Sequence, residues 1–289
     1  MDSVMQDPLI KIIALQKKAA EKNEIRLPNW SDDKRGAPNE VVRSALFNAR
    51  NKNRKREYLK KAEIALIGNG SIKYTGEELR QDDETVWLQI LHLAREHPLE
   101  DIIEFTAYSF LRSVNWPTTV FYYQKLEDCL NRMATTTLVI ESERLGKACG
   151  VSIIRKYEKS DNGNLCRVWI EKEMKCLFDG NCYTLTEWEQ RLSLPVGITT
   201  WLHAYIASHQ KPHAIKIESI ITAAGLTVKR KDHAKEIIEG GLRELVKVGF
   251  LKKYKFKDGK IFVRRMTDND QKDSDTDDGS DWITIDKLS

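Results

Sequence analysis

The tripeptide Lys257-Asp258-Gly259 constrains this chain more than any other short segment. An Asp-Gly pair supplies the two left-handed residues of a tight hairpin turn. Here it separates Phe250–Phe256 from Lys260–Arg265, two runs rich in aromatic and β-branched residues. The runs are therefore expected to pair. Directly upstream, apolar residues recur at helical spacing from about Lys231 to Val248, and Gly249 ends the pattern. Before that helix lie a short one, Glu218–Ala224, and a brief strand, Ile215–Ile217. A further helix, Ile198 to His209, opens the series with Ile198, Trp201, Leu202, Tyr205 and Ile206 turned inward.

The middle of the chain repeats that order. A helix from about Asp82 to His97 places Val86, Ile90, Leu93 and Ala94 on one face, flanked by Trp87 and Leu91, and Pro98 closes it. A strand, Ile102–Phe105, precedes a short helix from Thr106 to Val114. A longer helix from about Thr118 to Ala134 carries Tyr123, Leu126, Leu130 and Met133 at core spacing. Thr135–Glu141 and Val151–Tyr157 read as strands, and Asp161-Asn162-Gly163 turns the chain into a third, Leu165–Ile170. The expected fold is α+β, with two tandem winged-helix domains at residues 40–182 and 183–265, joined near Tyr183–Val196.

Around these domains the sequence predicts a flexible N-terminal segment, residues 1–39. It comprises a short helix within 1–23 and an extended linker, Leu27–Asn39, marked by Pro28, Gly36 and Pro38. A basic stretch, Arg43 to Lys61, opens the first domain. It runs into a hairpin of Ile64–Ile67 and Ile72–Tyr74 around Gly68-Asn69-Gly70. Residues 266–289 are expected to be a disordered acidic tail.

Charge gives the first indication of function. The net charge of +4 divides into −6 over residues 266–289 and +10 over residues 1–265, a basic body that suits a polyanionic partner. The apolar share of 41% is enough for a sizeable core. No apolar run of membrane-spanning length and no secretory signal is evident, so a soluble cytoplasmic protein is expected. The five cysteines, Cys129, Cys149, Cys166, Cys176 and Cys182, form no C-x-x-C pair and no ligand pattern with histidine, and are expected as reduced core thiols without a metal. No P-loop, nucleophile elbow or metalloprotease motif occurs, and Gly68-Asn69-Gly70 lacks a third glycine for a dinucleotide fingerprint. Neither catalysis nor a cofactor is expected.

The start of the last long helix carries the main DNA-binding candidates. Lys229, Arg230 and Lys231 crowd the positive end of the helix dipole, each at a cost of roughly 0.3–1 kcal/mol unless an anion is nearby. A phosphate supplies that anion, and His233 and Lys235 extend the same face. The bland alternative is a solvated basic turn. On the hairpin, Lys252, Lys253, Lys255, Lys257, Lys260, Arg264 and Arg265 interleave with Tyr254, Phe256 and Phe262. Edge-strand protection by lysine explains some of these, but seven basic residues in fourteen exceed what protection needs. On the equivalent helix of the first domain, Thr118, Thr119, Tyr122, Lys125 and Arg132 are candidates for phosphate contact, although Glu127 and Asp128 dilute the charge. The tryptophans, Trp87, Trp116, Trp169, Trp188 and Trp201 among them, are expected in the core.

Two longer runs resemble a known family. The stretch from Pro38 through Asn39-Glu40-Val41-Val42-Arg43-Ser44-Ala45-Leu46-Phe47 to Asn48-Ala49-Arg50-Asn51-Lys52 is similar to the TrfA family of plasmid replication initiators. So is Ile72-Lys73-Tyr74-Thr75-Gly76-Glu77-Glu78-Leu79-Arg80 with Asp82-Asp83-Glu84 and Val86-Trp87. Thinner matches occur at Tyr122-Tyr123, at Glu127 with Cys129-Leu130, and at Leu177-Phe178 with Tyr183, so that the likeness spans about residues 24–265. The resemblance implies an initiator that binds direct repeats (iterons) in double-stranded origin DNA. It also implies opening of an AT-rich region, binding of the exposed single-stranded DNA and loading of the replicative helicase with the host initiator. A homodimer is an open alternative to a monomer. The family reaches the polymerase sliding clamp through a Gln-Leu-Ser-Leu-Phe motif, whereas the matching stretch here is Glu24-Ile25-Arg26-Leu27-Pro28. Glutamate replaces the glutamine and proline the aromatic, so clamp binding departs from the family pattern at that point. Gln190-Arg191-Leu192-Ser193-Leu194-Pro195 looks superficially alike but sits between domains, where a structural role is expected. The competing readings are a winged-helix transcriptional regulator acting as an autorepressor, and a protein-binding module without DNA.

Overall fold

The computed structural model describes residues 25–99, 102–145, 149–160, 164–228, 230–266 and 283–284. The first described elements are β1 (Lys34–Pro38), a single helical turn α1 (Asn39–Val42) and β2 (Phe47–Asn48). Strands β3 (Tyr58–Ile64), β4 (Ser71–Glu77) and β5 (Leu79–Arg80) lead into α2 (Gln81–Ala94). There follow β6 (Ile103–Thr106), α3 (Ala107–Ser113), α4 (Val120–Ala134), β7 (Thr137–Glu141), β8 (Cys149–Val151), β9 (Lys156–Lys159) and β10 (Leu165–Trp169). After β11 (Tyr183–Glu187) and α5 (Trp188–Ser193), the second half holds α6 (Ile198–Ala207), β12 (Ile215–Lys216), α7 (Ile217–Ala223) and α8 (Lys231–Lys247). It ends with β13 (Leu251–Lys257), β14 (Lys260–Arg265) and β15 (Ile283–Thr284).

Helices and sheets are mixed, an α+β architecture with two hydrophobic cores. Each half contains a helix, a strand, two helices and a hairpin, with the strand paired to the second hairpin member. The sheet orders are β6-β10-β9 and β12-β14-β13-β15. The turn between β13 and β14 is as the sequence requires, with Asp258 at φ 51° and Gly259 at φ 69°.

Several expectations are corrected by pairing partners far away in the chain. β7 joins β4 rather than β9 or β10, in a separate sheet ordered β3-β4-β7-β8. The run Val151–Tyr157 is not one strand. Between β8 and β9 it is irregular, and its Ile153 and Ile154 are wholly buried in the first core. The hairpin around Gly68-Asn69-Gly70 forms with Ile64 opposite Ile72, but its first strand runs back to Tyr58, taking in the end of the basic stretch. The linker Leu27–Asn39 is not free. Leu27 and Trp30 enter the core, and β1 pairs antiparallel with β11. Of the tail, Ile283 and Thr284 are ordered as a strand on β13, which would otherwise expose an unpaired edge. The helix expected within 1–23, the turn Asp161-Asn162-Gly163 and the acidic run 267–282 lie outside the described residues. Cys129 and Cys166 are buried free thiols. Cys176, in contrast to the reduced expectation, is disulfide-bonded, on a turn packed against β8.

The two cores meet along a polar seam. Arg191 of α5, 1% exposed, donates to Glu84 of α2 at 3.0 Å and to the Thr200 carbonyl of α6 at 3.2 Å. Burial pushes the Glu84 carboxyl up from its ordinary value, and Arg191 opposes that shift. Gly225 closes the seam elsewhere. Its φ is +65°, and a Cβ there would stand 2.7 Å from Cβ of Asn48. Nearby, the Ala49 N–H donates to the Ala224 carbonyl at 2.8 Å.

His203 of α6 is buried beside this seam, with Nε2 on Gln190 at 3.0 Å and Nδ1 without a partner among the described residues. Burial, reinforced by the Arg191 charge, holds it neutral and pushes its pKa down to about 3. Because the folded pKa lies below the unfolded one, this residue destabilises the fold as pH falls from 6.5 toward 3. The expected loss between pH 7.5 and pH 5 is about 2 kcal/mol. Urea denaturation at the two pH values measures it; His203→Asn should reduce the difference by about that amount, and His92, which burial holds down to about 4, contributes a similar further share.

Candidate nucleic-acid interface

Lys235 of α8 lies over Phe256 of β13, which sets the start of α8 beside the β13–β14 hairpin. α8 begins at Lys231 because the preceding residue, Arg230, is extended, with φ −110° and ψ 129°. No side chain caps this start. Arg230 and Lys231 are 78% and 83% exposed, and they lie 3.8 Å from Asp232 and 3.3 Å from Glu218. The dipole penalty inferred from sequence is thus partly offset by carboxylates. Ion pairs this exposed are worth no more than about 1 kcal/mol and exchange readily for phosphate. His233 is similarly exposed and faces Glu236 at 3.3 Å. Lys229 lies outside the described residues.

Helix and hairpin are joined by a cation–π contact, with Lys235 Nζ 5.0 Å from the Phe256 ring centroid. Lys257 and Lys260 flank the turn and are exposed, while Lys252, Lys255 and Arg264 are half-buried. Two hairpin residues depart from the expectation. Lys253 is 8% exposed because a bulge between Leu251 and Lys253 breaks the alternation of faces. Arg265 lies against Phe250 at 5.3 Å, with a buried Nε that has no partner among the described residues. Burial lowers its pKa.

In the first half the candidates divide. Thr118 and Thr119 are exposed ahead of α4, and Val120 and Phe121 of its first turn are 86% and 68% exposed. Tyr122 is half-buried against Trp116 at 5.9 Å. Lys125 rests over Trp116 at 4.3 Å and pairs with Asp82 at 3.4 Å. Arg132 is committed inward. Its Nη2 and Nε reach Asp83 Oδ1 at 2.9 and 3.1 Å, and that carboxylate raises its pKa against the opposing effect of burial. Asp83, wholly buried, also accepts from Arg56 Nη1 at 2.7 Å and from the Arg80 N–H at 2.8 Å, which caps α2. Arg132 is therefore a member of an internal ion network.

A cleft of about 930 Å³ lies between the halves. Trp116, Pro117, Tyr122 and Lys125 line it from the first half, and Thr227, Val228, His233 and Ile237 from the second. Arg50, Lys52 and Arg54, from the connection between β2 and β3, line it as well. They were visible in the sequence only as part of a basic stretch, because nothing local shows where that stretch is carried. The stretch aligned with the family's clamp motif is described from Ile25 onward. Leu27 is 4% exposed, and the Ile25 carbonyl accepts from the Leu99 N–H at 2.9 Å, so these residues pack on the first core.

The family model for TrfA protein matches residues 2–265. The plasmid replication initiator protein TrfA of Escherichia coli is 33% identical over 245 residues, covering 83% of this chain. The chain spans 64% of that relative's length. Among solved structures, domains 2 and 3 of RctB superpose with a TM-score of 0.53 at 12% identity, covering 79% of this chain and 98% of theirs. Pi initiator protein in complex with iteron DNA gives a TM-score of 0.48 at 10% identity, covering 70% of this chain and 100% of that one. The RctB likeness is one of fold, while the sequence match extends over nearly the whole chain: this protein is a member of the TrfA family.

Proposed function

We propose that the protein initiates plasmid replication by binding direct repeats in duplex origin DNA through two tandem winged-helix domains, residues 40–182 and 183–265. Its E. coli relative is named a plasmid replication initiator. The observation that carries the reading is the exposed basic face formed where α8 meets the β13–β14 hairpin, fastened by Lys235 on Phe256. On it Arg230, Lys231, His233 and Lys235 form the helical part, with Lys257 and Lys260 at the wing tip. In the first domain Thr118, Thr119 and the exposed start of α4 take the corresponding place. Opening of an AT-rich region, capture of the single strand and delivery of helicase with the host initiator extend this reading.

The test is selection from a pool of randomised duplexes followed by hydroxyl-radical footprinting. Recognition helices in successive major-groove faces stand about 10–10.5 base pairs apart. One protomer should therefore protect about two helical turns of a single repeat, asymmetrically, because the domains differ. A symmetric footprint on an inverted repeat would instead support a dimeric autorepressor, and no selected site would reject both.

A further inference from the structure

The connection between β2 and β3 is built like a contact element. Asn51-Lys52-Asn53-Arg54-Lys55 carries three cations and two amides, and no acidic residue occurs from Asn48 through Arg56. All five residues are exposed. A lysine-rich loop of this kind would ordinarily be held by solvent alone. Here its backbone is fixed from beneath by Arg80, which is 5% exposed. The Arg80 guanidinium donates to the carbonyls of Asn51 at 3.1 Å, Lys52 at 3.4 Å and Lys55 at 3.3 Å, and Glu78 orients it through Nε at 3.0 Å. The Asn51 side chain accepts from the Asn53 N–H at 2.9 Å, closing a turn within the loop.

The loop is also tied to the second half. Arg50 Nε donates to the Gly225 carbonyl at 3.2 Å and Arg54 Nη1 to Thr227 Oγ1 at 3.1 Å, both in the turn that leads toward α8. Among the described residues, no ion pair engages Lys52 or Lys55. Arg50, Lys52 and Arg54 line the cleft that the first turns of α4 and α8 also border.

We propose that Asn51–Lys55 is a third DNA-contacting element, which enters the minor groove between the major-groove contacts of α4 and α8. The inference rests on the duplex-binding reading above and adds a site to it. On one side of B-DNA, the groove facing the protein midway between two successive major-groove contacts is the minor groove. That groove is about 6 Å wide, and its negative potential is strongest where it narrows over A·T steps. Arginine, lysine and asparagine are the side chains that enter it. Fixing the backbone through Arg80 removes ordering cost on binding, and the absence of carboxylates leaves the cations to the phosphates on the groove walls.

The triple variant Lys52→Ala/Arg54→Ala/Lys55→Ala of the full chain tests this, on the duplex that the unaltered chain selects from a randomised 40-base-pair pool. Three lost phosphate contacts should flatten the log–log salt slope by about 2.7, equivalent to about 100-fold in affinity at 0.15 M salt. Footprinting should show protection lost in the central few base pairs and kept on both flanks. Replacing central A·T pairs by G·C should weaken the unaltered chain and not the triple variant. If the triple variant loses solubility, Lys52→Ala/Lys55→Ala, which removes no recorded hydrogen bond, should show the same pattern at about two-thirds of the slope change. An unchanged slope and an intact central footprint, with binding lost in Arg230→Ala/Lys231→Ala, would overturn the minor-groove site and leave the duplex reading standing. Loss confined to single-stranded probes would overturn it too. A pool that yields no selected duplex would remove the reading itself.

Discussion

Replacing Arg230, Lys231, Lys257 and Lys260 together by alanine should abolish duplex recognition at physiological salt. If each contacts one phosphate, the log–log salt slope flattens by about 3.6, which corresponds to about 1,000-fold at 0.15 M salt. The fold should persist. Arg230 and Lys231 are mostly exposed, and Lys257 and Lys260 flank an exposed turn. Surface changes of this kind are usually within about 0.5 kcal/mol. Fluorescence anisotropy across a salt series, with a thermal melt of the same sample, gives both numbers. Unchanged affinity and slope would show that the α8 face is merely solvated. Arg132→Ala serves as the contrast, and should lower stability without altering the slope, since its guanidinium is engaged by Asp83.

Asp83→Ala should have the largest effect on stability. The carboxylate is wholly buried and accepts from Arg56, from Arg132 and from the backbone N–H that caps α2. Removing it leaves two partly buried guanidinium groups facing one another and an unsatisfied helix start. Breaking a buried pair from one side costs about 3–5 kcal/mol, and lost capping adds to that. Urea denaturation is the measurement, and a cost below about 1 kcal/mol would show that solvent or another acceptor replaces the carboxylate. Because Arg56 directly follows the Asn51–Lys55 loop, a milder Asp83→Asn should also weaken DNA binding at temperatures where the protein stays folded.

These two sites differ in how legible they were. Arg230 and Lys231 stand at a helix start that apolar periodicity defines, ahead of Ala234, the first buried residue of that helix. Asp82, Asp83 and Glu84 look in sequence like ordinary first-turn acids, suited to a helix dipole. The burial of Asp83 and Glu84 follows from Arg56, Arg132 and Arg191, which arrive from three distant parts of the chain. The helix itself shows the same difference. Apolar residues of α2 predict one buried face, yet Asp83, Glu84, Gln89 and His92 are buried too, because each finds a partner or a neighbouring element. Long cations show the converse. Lys253 and Arg265 belong to a hairpin that the sequence anticipates, but a bulge leaves Lys253 buried and Arg265 is half-buried against Phe250.

By itself, the sequence determined the local elements: the helices α2, α3, α4, α6, α7 and α8, the β13–β14 turn with both central residues at positive φ, and the opposed charges of body and tail. Each depends on residues within a few positions of one another, where period, turn chemistry and net charge act without knowledge of the rest. Tertiary structure alone decided that β7 pairs with β4, that Lys34–Pro38 joins β11, that Arg132 is internal, and that the Asn51–Lys55 loop lies at the cleft between α4 and α8. Strand partners and the surroundings of long charged side chains are set by which distant segments come together, and hydrogen-bonding capacity and charge in one short stretch leave that choice open.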